Sequence, residues 1–148
     1  MEGWPSAPRA EAGSVAPGQP EHLRVLVADG YADAADSLAL LLRLWGHEVY
    51  VCRTGPEALE AALAYRPEVA LLELVLGGLD GCALARRLRE NEALPNLVLI
   101  AVTGLGDQAH RRLAEQAGFV LHLLKPVEPD EIHRILAALV EKRRWSRT

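Results

Sequence analysis

Four apolar runs of strand-like length in this sequence carry a polar residue at or near their carboxyl ends. The runs are 23–28, 69–74, 97–102 and 121–124, and the polar residues are Asp29, Glu73, Thr103 and Lys125. Short runs rich in Val, Ile and Leu favour buried strands over helices. The carboxyl ends of parallel strands lie at one edge of an open α/β sheet, where ligands bind. These four side chains are therefore predicted to share one crevice.

The segments between the runs have the spacing and end signals of amphipathic helices. Apolar residues recur at helical spacing over 38–45 and stop at Gly46, and Thr54 to Glu57 form a capping box with proline at the first helical position. A further strand is predicted at 49–51. Strand and helix thus alternate five times. This order predicts a doubly wound, three-layer, flavodoxin-like (βα)5 fold of class α/β, with a five-stranded parallel sheet in the order 2-1-3-4-5.

Composition narrows the function classes. The net charge of −4 argues against nucleic acid as the main partner of the folded domain. No apolar run approaches the roughly 20 residues that span a bilayer, and the first residues lack a secretory signal. Cys52 and Cys82 have no metal or redox spacing and are expected to be free thiols. A cytoplasmic protein without a membrane partner is expected.

The chain is predicted to have three parts. Residues 1–20 are rich in Pro and Gly and show no periodicity, which predicts a flexible N-terminal tail. Trp4 in this tail is either a docking anchor or incidental. Residues 21–141 form the α/β domain, and residues 142–148 form a basic C-terminal tail.

Seven short motifs, in this order and spacing, resemble the receiver domain of bacterial response regulators, the CheY-like family. The resemblance covers nearly all of residues 22–141. The motifs are Val25–Asp29, Gly46–Val49, Gly55–Leu59, Leu79–Gly81, Ala101–Gly104, Ala117–Phe119 and Leu124–Val127. It implies a role in two-component (phosphorelay) signal transduction, with a histidine kinase or another signalling protein as partner.

The resemblance also implies a site. In that family an aspartate at the end of strand three accepts a phosphoryl group, and an acidic pair after strand one holds Mg²⁺. A Thr or Ser and a Lys then bind the new phosphate. In this sequence the Lys is Lys125, the hydroxyl is Thr103 and the first acid is Asp29, whereas Gly30 replaces the second acid and Glu73 stands at the acceptor position.

These departures predict a receiver that has lost the usual chemistry. Asp29 and Glu73 alone remain as ligands for Mg²⁺, so at most a weak metal site and no cofactor are expected. Glu73 is one methylene longer than aspartate, which displaces its oxygens by roughly 1 Å. Such a displacement can cost about 100-fold in rate. The expected function is a single-domain, phosphorylation-independent receiver that acts by protein–protein interaction and is not an enzyme.

Two alternative functions and two interpretations of the signalling state remain open. The first alternative function is a Mg²⁺-dependent phosphoacceptor that a histidine kinase still phosphorylates. The second is a flavin or nucleotide binder, for which the loop after strand one lacks a cofactor motif. A pair between Glu73 and Lys125 formed without metal would hold the loop at 104–106 in an on-like state. The competing interpretation is a fixed off-like scaffold.

Four further features carry expectations. His122 falls where the family has a rotating aromatic switch, and it either senses the pocket or is a half-exposed strand histidine. Leu40 and Leu44 lie off the buried stripe of the first helix, and they either form a protein-docking surface or pack on the last helix. The Lys125–Pro126 bond is cis in the family. A homodimer through the last two helices and strand five is possible.

Overall fold

The computed structural model of the protein describes residues 22–147, with side chains described through Trp145. The predicted tail at 1–20, with Trp4, lies outside the described residues. Strands and helices alternate along the described chain. The strands are β1 (Arg24–Ala28), β2 (Glu48–Cys52), β3 (Val69–Leu72), β4 (Val98–Thr103) and β5 (Leu121–Leu124). The helices are α1 (Ala32–Leu44), α2 (Gly55–Tyr65), α3 (Gly81–Glu90), α4 (Gln108–Ala117) and α5 (Pro129–Arg147).

The five strands form one parallel sheet in the order β2-β1-β3-β4-β5, as predicted. Ala28 pairs in register with Leu72, and Leu72 pairs with Ala101. The ends of the three central strands therefore form one row, and the residues that follow them project from the same edge of the sheet. The fold class is confirmed.

Successive residues of each strand point to opposite faces of the sheet, and both faces are covered. Leu26, Leu72 and Leu99 pack with the buried residues of α2, α3 and α4. Val25, Leu71 and Ile100 pack on the other side with α1 and α5. All four residues of β3 are buried, which explains its continuous apolar sequence. The result is the predicted three-layer arrangement.

Side-chain caps fix the starts of three helices. Thr54 accepts a hydrogen bond from the amide of Glu57, Asp80 accepts one from Ala83, and Asp107 accepts one from His110. Each bond satisfies an amide that has no partner within its own helix. These caps orient the helices that lead away from the crevice.

The last helix, α5, continues through Arg147, so the basic residues from 142 onward lie at the end of this helix. Arg143 anchors this part of the helix by pairing with Glu68 and by donating a hydrogen bond of 2.8 Å to the carbonyl oxygen of His22. The segment contains neither glycine nor proline after Pro129. Both anchoring partners lie more than 70 residues away in sequence, so no local pattern indicates these contacts.

Candidate functional site

The carboxyl-terminal edge of the sheet holds the four polar residues singled out above. Backbone hydrogen bonds continue past the strands: Asp29 N donates to Cys52 O, Glu73 N to Ala28 O, and Lys125 N to Thr103 O, all at 2.9–3.0 Å. These bonds place the residues side by side in space although they are far apart in sequence. Asp29 and Glu73 are each only 6% exposed, and Thr103 is fully buried. The structure therefore brings all four together in one crevice.

Lys125 joins the two carboxylates of this crevice. Its Nζ atom lies 2.6 Å from Asp29 Oδ2 and 2.8 Å from Glu73 Oε1. The lysine side chain is 25% exposed, so the ammonium is partly withdrawn from water. Burial alone would lower the pKa of Lys125, but hydrogen bonds from its ammonium to Asp29 and Glu73 outweigh that effect and raise it. The three side chains form an ion triad.

The second oxygen of Glu73 turns back to its own loop. Glu73 Oε2 accepts hydrogen bonds from the amides of Leu74 at 2.7 Å and Val75 at 3.3 Å. Burial alone would raise the pKa of Glu73, but hydrogen bonds from Lys125, from the Thr103 hydroxyl and from the Val75 amide hold it below its usual value. Glu73 is therefore an ionised carboxylate with donors at both oxygens.

Asp29 is also satisfied by groups of the protein. Its Oδ1 accepts a hydrogen bond of 2.9 Å from the amide of Tyr31, and its Oδ2 accepts from Lys125. The Tyr31 ring lies at the mouth of the crevice, with its centroid 5.7 Å from Lys125 Nζ, a distance at which a cation and an aromatic face attract. Tyr31 was not among the predicted site residues. Its position two residues after an aspartate, where an Asx turn forms, was the available signal.

The backbone conformation at position 30 does not require a glycine. The φ of Gly30 lies outside the left-handed region, and a Cβ atom at this position would have only Arg53 O within 4 Å, at an ordinary contact distance of 3.7 Å. A side chain therefore fits there. The missing second acid is a feature of this sequence and not a steric necessity.

The loop after β4 is held on two sides. Thr103 Oγ1 accepts a hydrogen bond of 3.2 Å from Leu105 N, and Nε2 of His122 lies 2.8 Å from Leu105 O. His122 is half-buried, and its Nδ1 atom is buried without a hydrogen-bond partner among the described residues. His122 thus contacts the loop beside the ion triad. The Lys125–Pro126 peptide bond is cis, as the resemblance implied.

These residues do not fit a divalent metal. Mg²⁺ requires near-octahedral oxygen coordination, but N–H donors occupy both oxygens of Asp29 and both oxygens of Glu73. Within residues 22–147, no group of three or more His, Cys, Asp and Glu side chains is arranged to hold a metal ion. What the crevice does chemically is to share one ammonium between two buried carboxylates.

The outer surface of α1 carries exposed apolar side chains. Leu40 and Leu44 of α1 are 60% and 74% exposed, so the expectation that they pack on the last helix is wrong. They lie on a face of α1 turned away from the core. None of the described helices has the length and apolar character needed to cross a bilayer.

Comparison with known proteins assigns the family. The model of the response regulator receiver domain family matches residues 25–137, and the chain belongs to this family. Its members are signalling modules of two-component systems that interact with histidine kinases. The family assignment agrees with the resemblance carried by the seven motifs.

Individual relatives agree with this assignment. The DNA-binding response regulator MtrA of Mycolicibacterium paratuberculosis is 34% identical over 109 residues, which cover 74% of this chain and 47% of MtrA. The transcriptional regulatory protein ResD of Bacillus subtilis is 30% identical over 124 residues, which cover 84% of this chain and 50% of ResD. The chain thus spans about half the length of the curated relatives that it matches.

Solved structures show the same fold. A putative response regulator from Chloroflexus aurantiacus is 30% identical, with a TM-score of 0.73 and coverage of 80% of this chain and 99% of that one. The receiver domain of the sensor histidine kinase PA1611 from Pseudomonas aeruginosa, solved with magnesium coordinated in its active-site cleft, is 27% identical. Its TM-score is 0.75, over 81% of this chain and 98% of that one.

Proposed function

We propose that this chain is a receiver whose signalling state does not depend on phosphoryl transfer and that acts by binding another signalling protein. The observation that carries the proposal is the ion triad, in which Lys125 lies within 2.6–2.8 Å of both Asp29 and Glu73. In the family, the lysine and the strand-four hydroxyl bind the phosphoryl group. Here both bind the carboxylate of Glu73.

The triad supports an on-like state over an off-like scaffold. Glu73 supplies a fixed negative charge to Lys125 and Thr103, and Thr103 in turn holds Leu105 of the following loop. The charge belongs to the side chain of Glu73. Its contact with Lys125 and Thr103 therefore needs no phosphoryl donor and is not lost by hydrolysis. Removing one partner of a buried ion pair costs about 3–5 kcal/mol, because the other charge is left unpaired, so Glu73 and Lys125 are expected to stay together.

The same geometry argues against the Mg²⁺-dependent phosphoacceptor. An incoming metal would have to displace Lys125 and the Tyr31 amide from Asp29, and Gly30 offers no carboxylate in exchange. The receiver domain of PA1611 coordinates magnesium in its cleft. We propose that this chain works without magnesium, in the cytoplasm, and through protein contacts rather than through nucleic acid.

Exposed leucines on α1 suit such a contact. Leu40 and Leu44 lie one helical turn apart on α1, and both are mostly exposed. An exposed apolar pair of this kind loses water when a partner covers it. We propose that this face of α1 contributes to binding a histidine kinase or another signalling protein.

Intact-mass measurement with a small-molecule phosphodonor and Mg²⁺ tests the proposal. We expect no added phosphoryl mass on the wild type, because Glu73 is held by Lys125 and the loop amides. The Gly30→Asp/Glu73→Asp double variant supplies the second acid, at a position where a side chain fits, and places an aspartate at the acceptor position. It is expected to take up one phosphoryl group, and the single Glu73→Asp variant much less.

The double variant is also the control for folding and for the donor. Its phosphorylation would show that the crevice retains the remaining parts of a receiver site. A stable phosphoryl adduct on the wild type would overturn the proposal in favour of a phosphoacceptor. Failure of both proteins to react, while a receiver of known activity reacts with the same donor, would show that more than these two residues has changed.

A further inference from the structure

A groove of about 620 Å³ opens at the amino-terminal edge of the sheet, opposite to the ion triad. Its volume is within the range typical of ligand sites. Leu97, Val98 and Leu139 present partly exposed apolar surface to it, above the buried Leu23 and Val69. Such a floor favours an occupant that brings apolar surface of its own.

The rim of this groove has a net positive charge. Arg24, Arg66, Lys142 and Arg143 line it, and Glu68, the one acid among the lining residues, pairs with Arg143. The guanidinium of Arg24 donates to the main-chain oxygens of Tyr65 and Arg66 at 2.7–3.3 Å, and neutral oxygens do not cancel its charge. The charge of the rim is thus opposite in sign to the net charge of the chain, which is −4. It favours an acidic occupant.

The described chain begins beside this groove. The carbonyl oxygen of His22 accepts a hydrogen bond from Arg143, and the next two residues line the groove. The segment that precedes His22 contains three glutamates and one arginine, and so has the opposite sign to the rim. It also contains an aromatic residue, Trp4.

We propose that the groove binds segment 1–21 of its own chain, with Trp4 on the apolar floor and the glutamates facing the cationic rim. A linker of the length between Trp4 and His22 has a root-mean-square span of roughly 20–25 Å, which is enough to reach across the groove. Tethering gives an effective concentration on the order of millimolar, so weak contacts suffice. A tryptophan contributes roughly 150–250 Å² of surface for burial.

The consequence is an intramolecular contact at the edge of the fold farthest from the ion triad. It covers the last turns of α5 and the loop before β4, and an external acidic partner would have to displace it to bind there. The inference is independent of the proposed function, because no residue of the crevice takes part in it.

Nuclear Overhauser effects (NOEs) in the full chain test this proposal. We expect NOEs between the Trp4 indole and the methyl groups of Leu97 and Leu139, with a Trp4→Phe variant assigning the indole signal. Lys142→Glu and Arg66→Glu should each lower the docked population by roughly two- to fivefold, as expected for exposed charge pairs. Raising the salt concentration should act in the same direction.

Arg112→Glu is the matched control, since it makes the same charge change at an exposed position of α4 that does not line the groove. It should leave the NOEs intact. A Trp4 indole without NOEs to the groove methyls would overturn the proposal. So would NOEs that occur only between differently labelled chains in a mixed sample, which would identify a second copy as the occupant, or an equal loss of NOEs in the Arg112→Glu variant.

Discussion

At the scale of single residues, Lys125 decides the character of the crevice. Its Nζ atom touches carboxylates from two different strand ends, at 2.6 and 2.8 Å. A compact ammonium with three donors satisfies this geometry, whereas a planar guanidinium suits one carboxylate bidentately. Lys125 is one of two lysines in this arginine-rich chain. Its contacts give a physical reason for that choice.

Removing this cation should destabilise the fold. In a Lys125→Met variant, Asp29 and Glu73 remain buried without their shared counter-ion, and we expect a loss of about 2–3 kcal/mol, less than for a fully buried pair because Lys125 is partly exposed. Denaturant unfolding at pH 7 measures it. The double variant Glu73→Gln/Lys125→Met should recover part of the loss, because it removes a repelling charge. An unchanged free energy of unfolding in Lys125→Met would contradict the triad.

At the scale of elements, the connection from β3 to α3 positions Glu73. Asp80 caps α3, and Gly81 begins that helix directly against the backbone of Glu73 and Leu74. A Cβ atom on Gly81 would lie 2.5 Å from Glu73 O, which is closer than real Cβ atoms approach. The start of α3 and the acceptor position are thus one packed unit, which fixes where the carboxylate of Glu73 can reach.

The two glycines of this connection should respond differently to alanine. Gly81→Ala forces the Glu73 backbone to move and should cost about 1–3 kcal/mol, as overpacking does. Gly77→Ala is the matched control in the same loop, because a Cβ there meets nothing within 4 Å. Denaturant midpoints and the amide shifts of residues 73–75 measure the effect. Equal effects of both variants would show that close packing at Gly81 is not the cause.

At the scale of the whole molecule, two groups at opposite edges of the sheet have lower pKa values in the folded protein than in the unfolded chain. Glu73 at one edge has a lowered pKa. His47 at the other edge accepts a hydrogen bond from Leu23 N at 3.0 Å, and burial together with the nearby His22, His133 and Arg143 lowers its pKa to about 4, although Glu68 acts in the opposite direction. Both groups bind protons more readily in the unfolded chain.

The free energy of unfolding should therefore decrease in two pH windows as the solution is made more acidic. For each group the stabilisation is complete above the unfolded pKa and is lost as the pH falls through the folded one. The stabilisation from His47 is lost between pH 6.5 and about 4, and the stabilisation from Glu73 is lost below pH 4.5. Free energies of unfolding measured across this range should decline less steeply in His47→Asn in the upper window and in Glu73→Gln in the lower window. A wild type equally stable at pH 7 and pH 4 would refute this assignment.

Much of the fold was predictable because its causes are local. Apolar runs of strand length, glycines after helices and the capping residues Thr54, Asp80 and Asp107 all lie within a few residues of the elements they define. The strand order followed from five alternating strands and helices joined by right-handed connections, as in flavodoxin-like folds. The contacts of Arg143 with Glu68 and His22 were not predictable in this way, because both partners are distant in sequence.

The crevice was predictable in membership but not in geometry. The sequence by itself determined that Asp29, Glu73, Thr103 and Lys125 share one edge, because parallel strands place their carboxyl ends together. Only the tertiary structure decided which atoms meet: that Lys125 bridges two carboxylates, that Glu73 turns its second oxygen to its own loop, and that the Tyr31 ring lies 5.7 Å from Lys125 Nζ. Distances of a few tenths of an ångström depend on packing across the whole sheet, and no local pattern of residues encodes them.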